Sequence, residues 1–462
     1  MAGARPLFFA SLLLAHCSAS EPAWIQELKS RTLPGAAKPS DGCGGGKGLR
    51  AWGAHNDEAA FEGWVPFTVL DFVAVNRSFY IQVPSSSLRR GPVPLLIGLH
   101  SQGDQADTYA NAHYFGSFGS TLGFVSVYPQ GLDDAVPGGG DLGTGWNVGT
   151  AGDDQTCVAD EVTPDCYASC WEQGKCGQCN WSGCYDERLF IYSVIQAINS
   201  VLCIDQSRIY VTGESNGGMM AHYLVQSLPG TFAAVAPWYG LPLLGYGLGA
   251  EFELVRDTKN CRQTAMLQLH GRQDDIMPPG GGVSGGFLPG WIYEPLQDLA
   301  RVVSLFGYLF YVFLRLSRNQ QNEDVLAFLH AKSFHCRLSR LPRNYVTTSG
   351  VLTDAERVCG FMFGSFLISL QPVKEPLNKV QQGWAAVHDC DTVASSTQTY
   401  WDGGDKNLEC FDYKGCTSGR RIMRCFYDGG HGDLPGDGTA DQITLWFLMQ
   451  YRLDGWNPQV VI

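Results

Sequence analysis

Positive charge is scarce in this chain. Its 462 residues carry 32 Lys and Arg against 45 Asp and Glu, a net charge of −13. A nucleic-acid backbone would be repelled, so nucleic acid is excluded as a partner. Long apolar runs are missing too. The two best candidates, Leu7 to Ala15 and Val302 to Leu314, fall short of the roughly 20 residues that cross a bilayer. Membrane association is therefore not expected.

What is present points to an exported globular protein. The hydrophobic share of 45 % can supply a sizeable core. The length suits one large α/β domain or two medium ones. Arg5, the apolar run Leu7 to Ala15 and the small residues Ser18-Ala19-Ser20 have the layout of a secretory signal peptide over 1–20, cut near Ala19 or Ser20. Sixteen cysteines fit an oxidising compartment. Six crowd together as Cys157, Cys166, Cys170, Cys176, Cys179 and Cys184. Cys176-Gly177-Gln178-Cys179 has half the spacing of a zinc site, but disulfides are the expectation after export, with connectivity left open. Asn76-Arg77-Ser78 and Asn180-Trp181-Ser182 are acceptor triplets for N-glycosylation. No metal or organic cofactor is expected.

Residues 21–60 are rich in Gly, Ala, Pro and Ser and read as a loose lead-in. Strand signals then recur at 77–83, 94–100, 123–128, 208–212, 231–237, 264–270 and 421–427. Helical periodicity is clearest at 187–202 and 441–452. Alternating strands and helices predict an α/β fold, a mostly parallel sheet covered on both faces. The stretch 301–374 differs from its surroundings. It holds nine basic and four acidic residues, four Gly and no Trp. We expect an unrelated insertion there, such as untranslated sequence joined into the reading frame. A buried helix or a membrane-touching segment at 302–314 are the alternatives.

Two stretches match Gly-x-Ser-x-Gly. Gly213-Glu214-Ser215-Asn216-Gly217 follows the β-branched run Arg208 to Thr212 and precedes the helical stretch Gly218 to Val225. Strand, motif, helix is the setting of a nucleophile elbow. Gly282-Val283-Ser284-Gly285-Gly286 follows Pro278-Pro279-Gly280 and reads as a glycine-rich loop. Context selects Ser215 as the nucleophile.

A serine hydroxyl needs a histidine to take its proton and an acid to fix that histidine's tautomer. In sheet-based hydrolases the chain order is Ser, acid, His. Asp274 follows the strand ending at His270, where a strand's C-terminal end meets the ligand side of such a sheet. Asp275 is its alternative. His431 lies in the glycine-rich loop Gly429-Gly430-His431-Gly432 after another strand. His388 is expected within a helix and His270 within a strand, so neither is the preferred base. An oxyanion hole needs two backbone donors. Asn216 is expected to supply one, and the loop Ser101-Gln102-Gly103 the other.

These residues, taken as a set, resemble a known family. Gly42-Cys43-Gly44, Arg77-Ser78-Phe79-Tyr80 before Val83-Pro84, Leu99-His100 and Tyr128-Pro129-Gln130-Gly131 come first. Gly213 to Met219, His270-Gly271 with Asp274 and Pro278, and Gly429-Gly430-His431 follow in order. Together they are similar to the secreted feruloyl esterase and polyhydroxybutyrate depolymerase-like group of α/β-hydrolases, from about 40 to 295 and again from Trp384. The resemblance implies an α/β-hydrolase fold with Ser215, Asp274 and His431 as its triad. It also implies that Cys43 and Cys203 take part in disulfides, with partners open. His100-Ser101 departs from the family's usual His-Gly, and 157–184 is larger than expected. The organisation implied is a signal peptide at 1–20, a lead-in at 21–60 and a catalytic domain at 61–462, with insertions at 151–185 and 301–374. The expected function is a secreted serine esterase acting on feruloyl or acetyl esters of plant cell-wall polysaccharide. A polyhydroxybutyrate depolymerase is second, because no additional polymer-binding domain is visible. An inactive hydrolase-like binding protein is the remaining alternative.

Overall fold

The structure, a computed structural model, describes residues 22–44, 48–54, 59–88, 91–134, 143–148, 168–173, 183–242, 261–280, 282–283, 292–293, 379–391, 399–401, 408–436 and 438–454. The expected signal peptide at 1–20, most of the cysteine-rich stretch, Asn180, Ser284 and the segment 301–374 lie outside these residues.

Ten strands form one sheet: β1 (Phe61–Leu70), β2 (Ala74–Val83), β3 (Val93–Leu99), β4 (Val125–Pro129), β5 (Ile204–Glu214), β6 (Ala234–Trp238), β7 (Ala265–Gly271), β8 (Thr399–Trp401), β9 (Leu408–Asp412) and β10 (Ile422–Tyr427). Their spatial order is β1-β2-β4-β3-β5-β6-β7-β10-β9-β8. The six central strands, β4 through β10, are mutually parallel, and antiparallel strands flank them on both sides. Such a centre must be covered on both faces, and the sequence shows it. Every residue of β3, Val-Pro-Leu-Leu-Ile-Gly-Leu, is buried.

Side chains alternate across the strands and feed two cores. Leu95, Ile97 and Leu99 of β3 point to one face, where α4 (Glu187–Val201), α5 (Asn216–Ser227) and α6 (Lys379–Val387) pack. Leu96 of β3, Tyr210 of β5 and Trp238 of β6 point to the other. There α1 (Ala23–Ser30), α2 (Ala106–Ala112), α3 (Phe115–Leu122) and α7 (Thr439–Leu448) pack. Helix α4 illustrates the local logic. Asp186 caps it by accepting the Leu189 N–H at 2.9 Å. Its Phe190, Ile191, Val194, Ile195 and Ile198 form one buried stripe.

The lead-in is more ordered than its composition suggests. It forms α1, buries Trp24, Ile25 and Leu49, and is bonded to the start of β5 by the disulfide Cys43–Cys203. The other disulfides among the described residues are Cys170–Cys184, Cys390–Cys416 and Cys410–Cys425, the last joining directly paired residues of β9 and β10. The terminal helix runs Thr439–Leu448, starting two residues early and stopping before Arg452. Where a loop was expected, Gly282–Val283 pairs with Ile292–Tyr293 in a small ribbon. Among the described residues no helix is long and apolar enough to cross a membrane.

One buried ion pair fastens the antiparallel wing to the rest. Arg77 of β2 reaches the first residue of α4, with Nη2 2.7 Å from Glu187 Oε2, and Nη2 also donates to the Gln130 carbonyl at 3.1 Å. Its guanidinium sits 3.7 Å over the Phe190 ring. Arg77→Met strands a buried carboxylate and should cost about 3–5 kcal/mol in urea unfolding. The double variant Arg77→Met/Glu187→Leu should recover much of that loss.

Candidate active site

The turn between β5 and α5 is built by close approach. A Cβ at position 213 would meet the Gly217 carbonyl oxygen at 2.6 Å, and one at 217 would meet the Leu99 carbonyl oxygen at 2.3 Å. Only glycine fits at either place. Between them Ser215 takes φ 53° and ψ −116°. For a residue with a Cβ that conformation costs about 1–3 kcal/mol. The Ser215 N–H donates to the Trp238 carbonyl of neighbouring β6 at 3.0 Å, and its C=O accepts the Met219 N–H at 2.9 Å. The hydroxyl is thereby fixed at the positive end of the α5 dipole.

Asp274 and His431 lie on loops after β7 and β10, which are adjacent parallel strands with Gly271 opposite Tyr427. Their C-terminal ends therefore bring the two loops together. The structure joins the three residues in one line: Asp274 Oδ2 to His431 Nδ1 at 2.8 Å, and His431 Nε2 to Ser215 Oγ at 2.8 Å. An ionised carboxylate only accepts, so Nδ1 carries the proton and Nε2 is left to accept from the serine hydroxyl.

Asp274 is buried, and four donors converge on it. Its Oδ1 accepts the N–H groups of Ile276 at 3.0 Å and Met277 at 2.8 Å. Its Oδ2 receives His431 and, at 3.3 Å, the buried Nε2 of His270, which also donates to the Met277 carbonyl at 2.8 Å. Burial pushes this carboxyl's pKa up, but the His270 and His431 hydrogen bonds outweigh it and hold the pKa at about 2. Asp275, the alternative acid, is exposed. His388 sits just past the end of α6 rather than within it, with Nδ1 2.7 Å from Ser418 Oγ and its ring stacked on Trp384. In the sequence His270 stands as the end of a strand and in the His270-Gly271 motif beside Asp274; that its ring holds Asp274 is seen only in the structure.

Asn216 opens α5, and the N–H groups of a first helical turn have no partner inside the helix. Its buried side chain clamps the backbone of Trp146, accepting the N–H at 2.7 Å and donating to the C=O at 3.2 Å. Trp146 Nε1 in turn donates to the His100 carbonyl at 2.8 Å. The loop 101–103 thus starts from a point tied to the turn at Ser215. His100 accepts the Gly131 N–H on Nε2 at 2.8 Å, so its Nδ1–H is the donor to the Ser101 carbonyl at 2.7 Å. The Gly103 N–H is committed to the Thr144 carbonyl at 2.7 Å, and the Gln102 amide lies 3.4 Å from the Gly143 carbonyl. Among the described residues no group of His, Cys, Asp and Glu is arranged to hold a metal ion.

This sheet order, with its tight glycine turn after β5 and loops converging from β7 and β10, is the α/β-hydrolase fold. The chain resembles esterases of that fold. Feruloyl esterase B of Piromyces equi is 25 % identical over 208 residues, covering 45 % of this chain and 31 % of that protein. Acetylxylan esterase A of Emericella nidulans is 25 % identical over 167 residues, 36 % of this chain and 43 % of that protein. The chain therefore spans less than half the length of these curated relatives. Among solved structures, the acetyl xylan esterase from Aspergillus awamori is 13 % identical, covers 83 % of this chain and 99 % of its own, and gives a TM-score of 0.37. No protein-family model matches the chain.

Asp274 also makes stability depend on pH. Its pKa is about 2 in the folded chain and about 3.9 when unfolded. The stabilisation is full above about pH 4 and is lost as pH falls toward 2. Melting temperatures from pH 5 to pH 2 should drop in the wild type, and Asp274→Asn should remove this part of the slope.

Proposed function

We propose that the chain is a serine carboxylesterase acting through Ser215, His431 and Asp274. The observation that carries this reading is the hydrogen-bonded line Asp274–His431–Ser215 at the strand ends. His431 Nε2 takes the Ser215 proton as Oγ attacks the ester carbonyl. The resulting oxyanion is held by the Asn216 N–H and a donor from Ser101–Gln102, since the Gly103 N–H is already committed. The His431 imidazolium, stabilised by Asp274, gives its proton to the leaving alcohol. Water, deprotonated by His431, then attacks the acyl-serine, releases the acid and restores Ser215. Every step uses groups of this chain.

The substrate reading is feruloyl or acetyl esters of plant cell-wall polysaccharide. Support comes from the names of the curated proteins the chain resembles. Export is supported by the N-terminal layout and by four disulfides among the described residues. We place the catalytic unit at 61–462, with 151–185 and 301–374 as insertions.

Methyl ferulate, acetylated xylan, p-nitrophenyl acetate and polyhydroxybutyrate should be compared in one assay. Ester cleavage should fall by about 10⁴-fold or more in Ser215→Ala, and a fluorophosphonate should label the wild-type serine alone. Cleavage of polyhydroxybutyrate but not of the other esters would replace the substrate reading. Hydrolysis unchanged in Ser215→Ala would end the mechanism. A chain lacking 301–374 should cleave the same esters.

A further inference from the structure

The mechanism above needs the His431 ring to stay in one orientation, yet its loop contains Gly429, Gly430 and Gly432. Asp274 and Ser215 hold its two nitrogens. A third contact comes from Tyr239, whose ring meets the imidazole edge to face, with centroids 4.8 Å apart and planes at 75°.

Tyr239 is itself in an unusual conformation. It is buried, and its φ is +35°. Such a backbone persists only where the surroundings fix it, and outliers of this kind gather at functional sites. Two contacts fix this one. Its N–H donates to the Leu269 carbonyl at 2.7 Å, and its hydroxyl lies against the Glu214 carboxylate. Burial and Glu214 push the hydroxyl's pKa well above the usual tyrosine value, so it remains a donor.

Glu214 is the residue just before the nucleophile, and it is clamped from behind. His113 Nε2 lies 3.3 Å from Glu214 Oε1, and His113 Nδ1 lies 3.0 Å from Asp441 Oδ1. Asp441, in α7, also accepts the Tyr114 N–H at 3.2 Å. Both imidazole nitrogens face carboxylates, so both carry protons. Burial alone would lower the His113 pKa, but Asp441 and Glu214 overcome it and raise it to about 10. The rings of Tyr109, Phe115 and Trp238 enclose the cation, and Asp104 adds a more distant negative charge.

We propose that Tyr239 is a positioning residue for His431, and that the His113 imidazolium, gripped by Asp441 and Glu214, holds Tyr239 in place. This rests on the reading of Ser215 and His431 as nucleophile and base. The general base then has two independent supports: Asp274 from β7, and a relay from α7 through His113, Glu214 and Tyr239.

Tyr239→Phe keeps the ring and removes only the hydroxyl. With p-nitrophenyl acetate, kcat should fall by about 10- to 100-fold with KM little changed, as expected for a displaced base rather than lost binding. His113→Gln should give the same split. The double variant should be no worse than the poorer single one, because both break one relay. Fluorophosphonate labelling of Ser215 should slow in parallel. Wild-type kcat in folded Tyr239→Phe, a loss confined to KM, or additive losses would overturn the proposal. If His113→Gln does not fold, Tyr239→Phe alone decides. A wild-type chain that neither hydrolyses esters nor is labelled at Ser215 would instead sink the esterase reading, and the relay would fall with it.

Discussion

The packing of β3 against the first turn of α5 is the constraint on which the rest depends. The Leu99 and His100 carbonyls press so closely on Gly217 that no Cβ fits there. This contact forces the chain to leave β5 and enter α5 within one residue, and Ser215 absorbs the whole change of direction. Its backbone strain is thus a by-product of tight packing between strand and helix. The same contact sets the end of β3, from which the 101–103 loop departs, against the first turn of α5, so the turn at Ser215 and the start of that loop are positioned by a single interaction.

Around this turn the polar groups are arranged so that few charges are left unmet. Asp274 is taken out of water, a cost that four converging donors offset. His113 is also removed from water as a cation, between two carboxylates. Both arrangements bear on His431, with one carboxylate on its Nδ1 and the Tyr239 ring against its imidazole. A positive charge on the His431 ring would therefore arise in a field already set up for it, with little reorganisation needed.

The sequence shows the central sheet well because its strands are short, apolar and β-branched. The seven strand signals correspond to β2 through β7 and β10. The strands it conceals lie outside the parallel centre. β1 contains Gly63 and Pro66 and turns Trp64 partly to solvent, so its pattern is weak. β8 and β9 are brief and gain their pairing from β10 rather than from any periodicity of their own. The candidate site divides in the same way. Ser215, Asp274 and His431 are readable because each follows a strand and is flanked by glycine or turn residues. Trp146, Tyr239 and His113 are not, because each acts through contacts across the fold, and nothing in its neighbours' identities announces them; His270 shows only as a motif residue, not as a support for Asp274.

That division explains how the Asp274–His431 contact can bridge a long stretch of chain. Asp274 and His431 are 157 residues apart in sequence. Their separation in space is set by the register of β7 against β10, not by what lies between. Loop-closure entropy rises only with the logarithm of length, about 0.6 kcal/mol per doubling. Residues 301–374 make up nearly half of that interval. Even if all of it behaved as a flexible loop, their presence would cost about one doubling. That is small beside the hydrogen bonds that converge on Asp274. The geometry of the site is thus a property of the sheet, and the connection between Asp274 and His431 is free to vary in length without moving either.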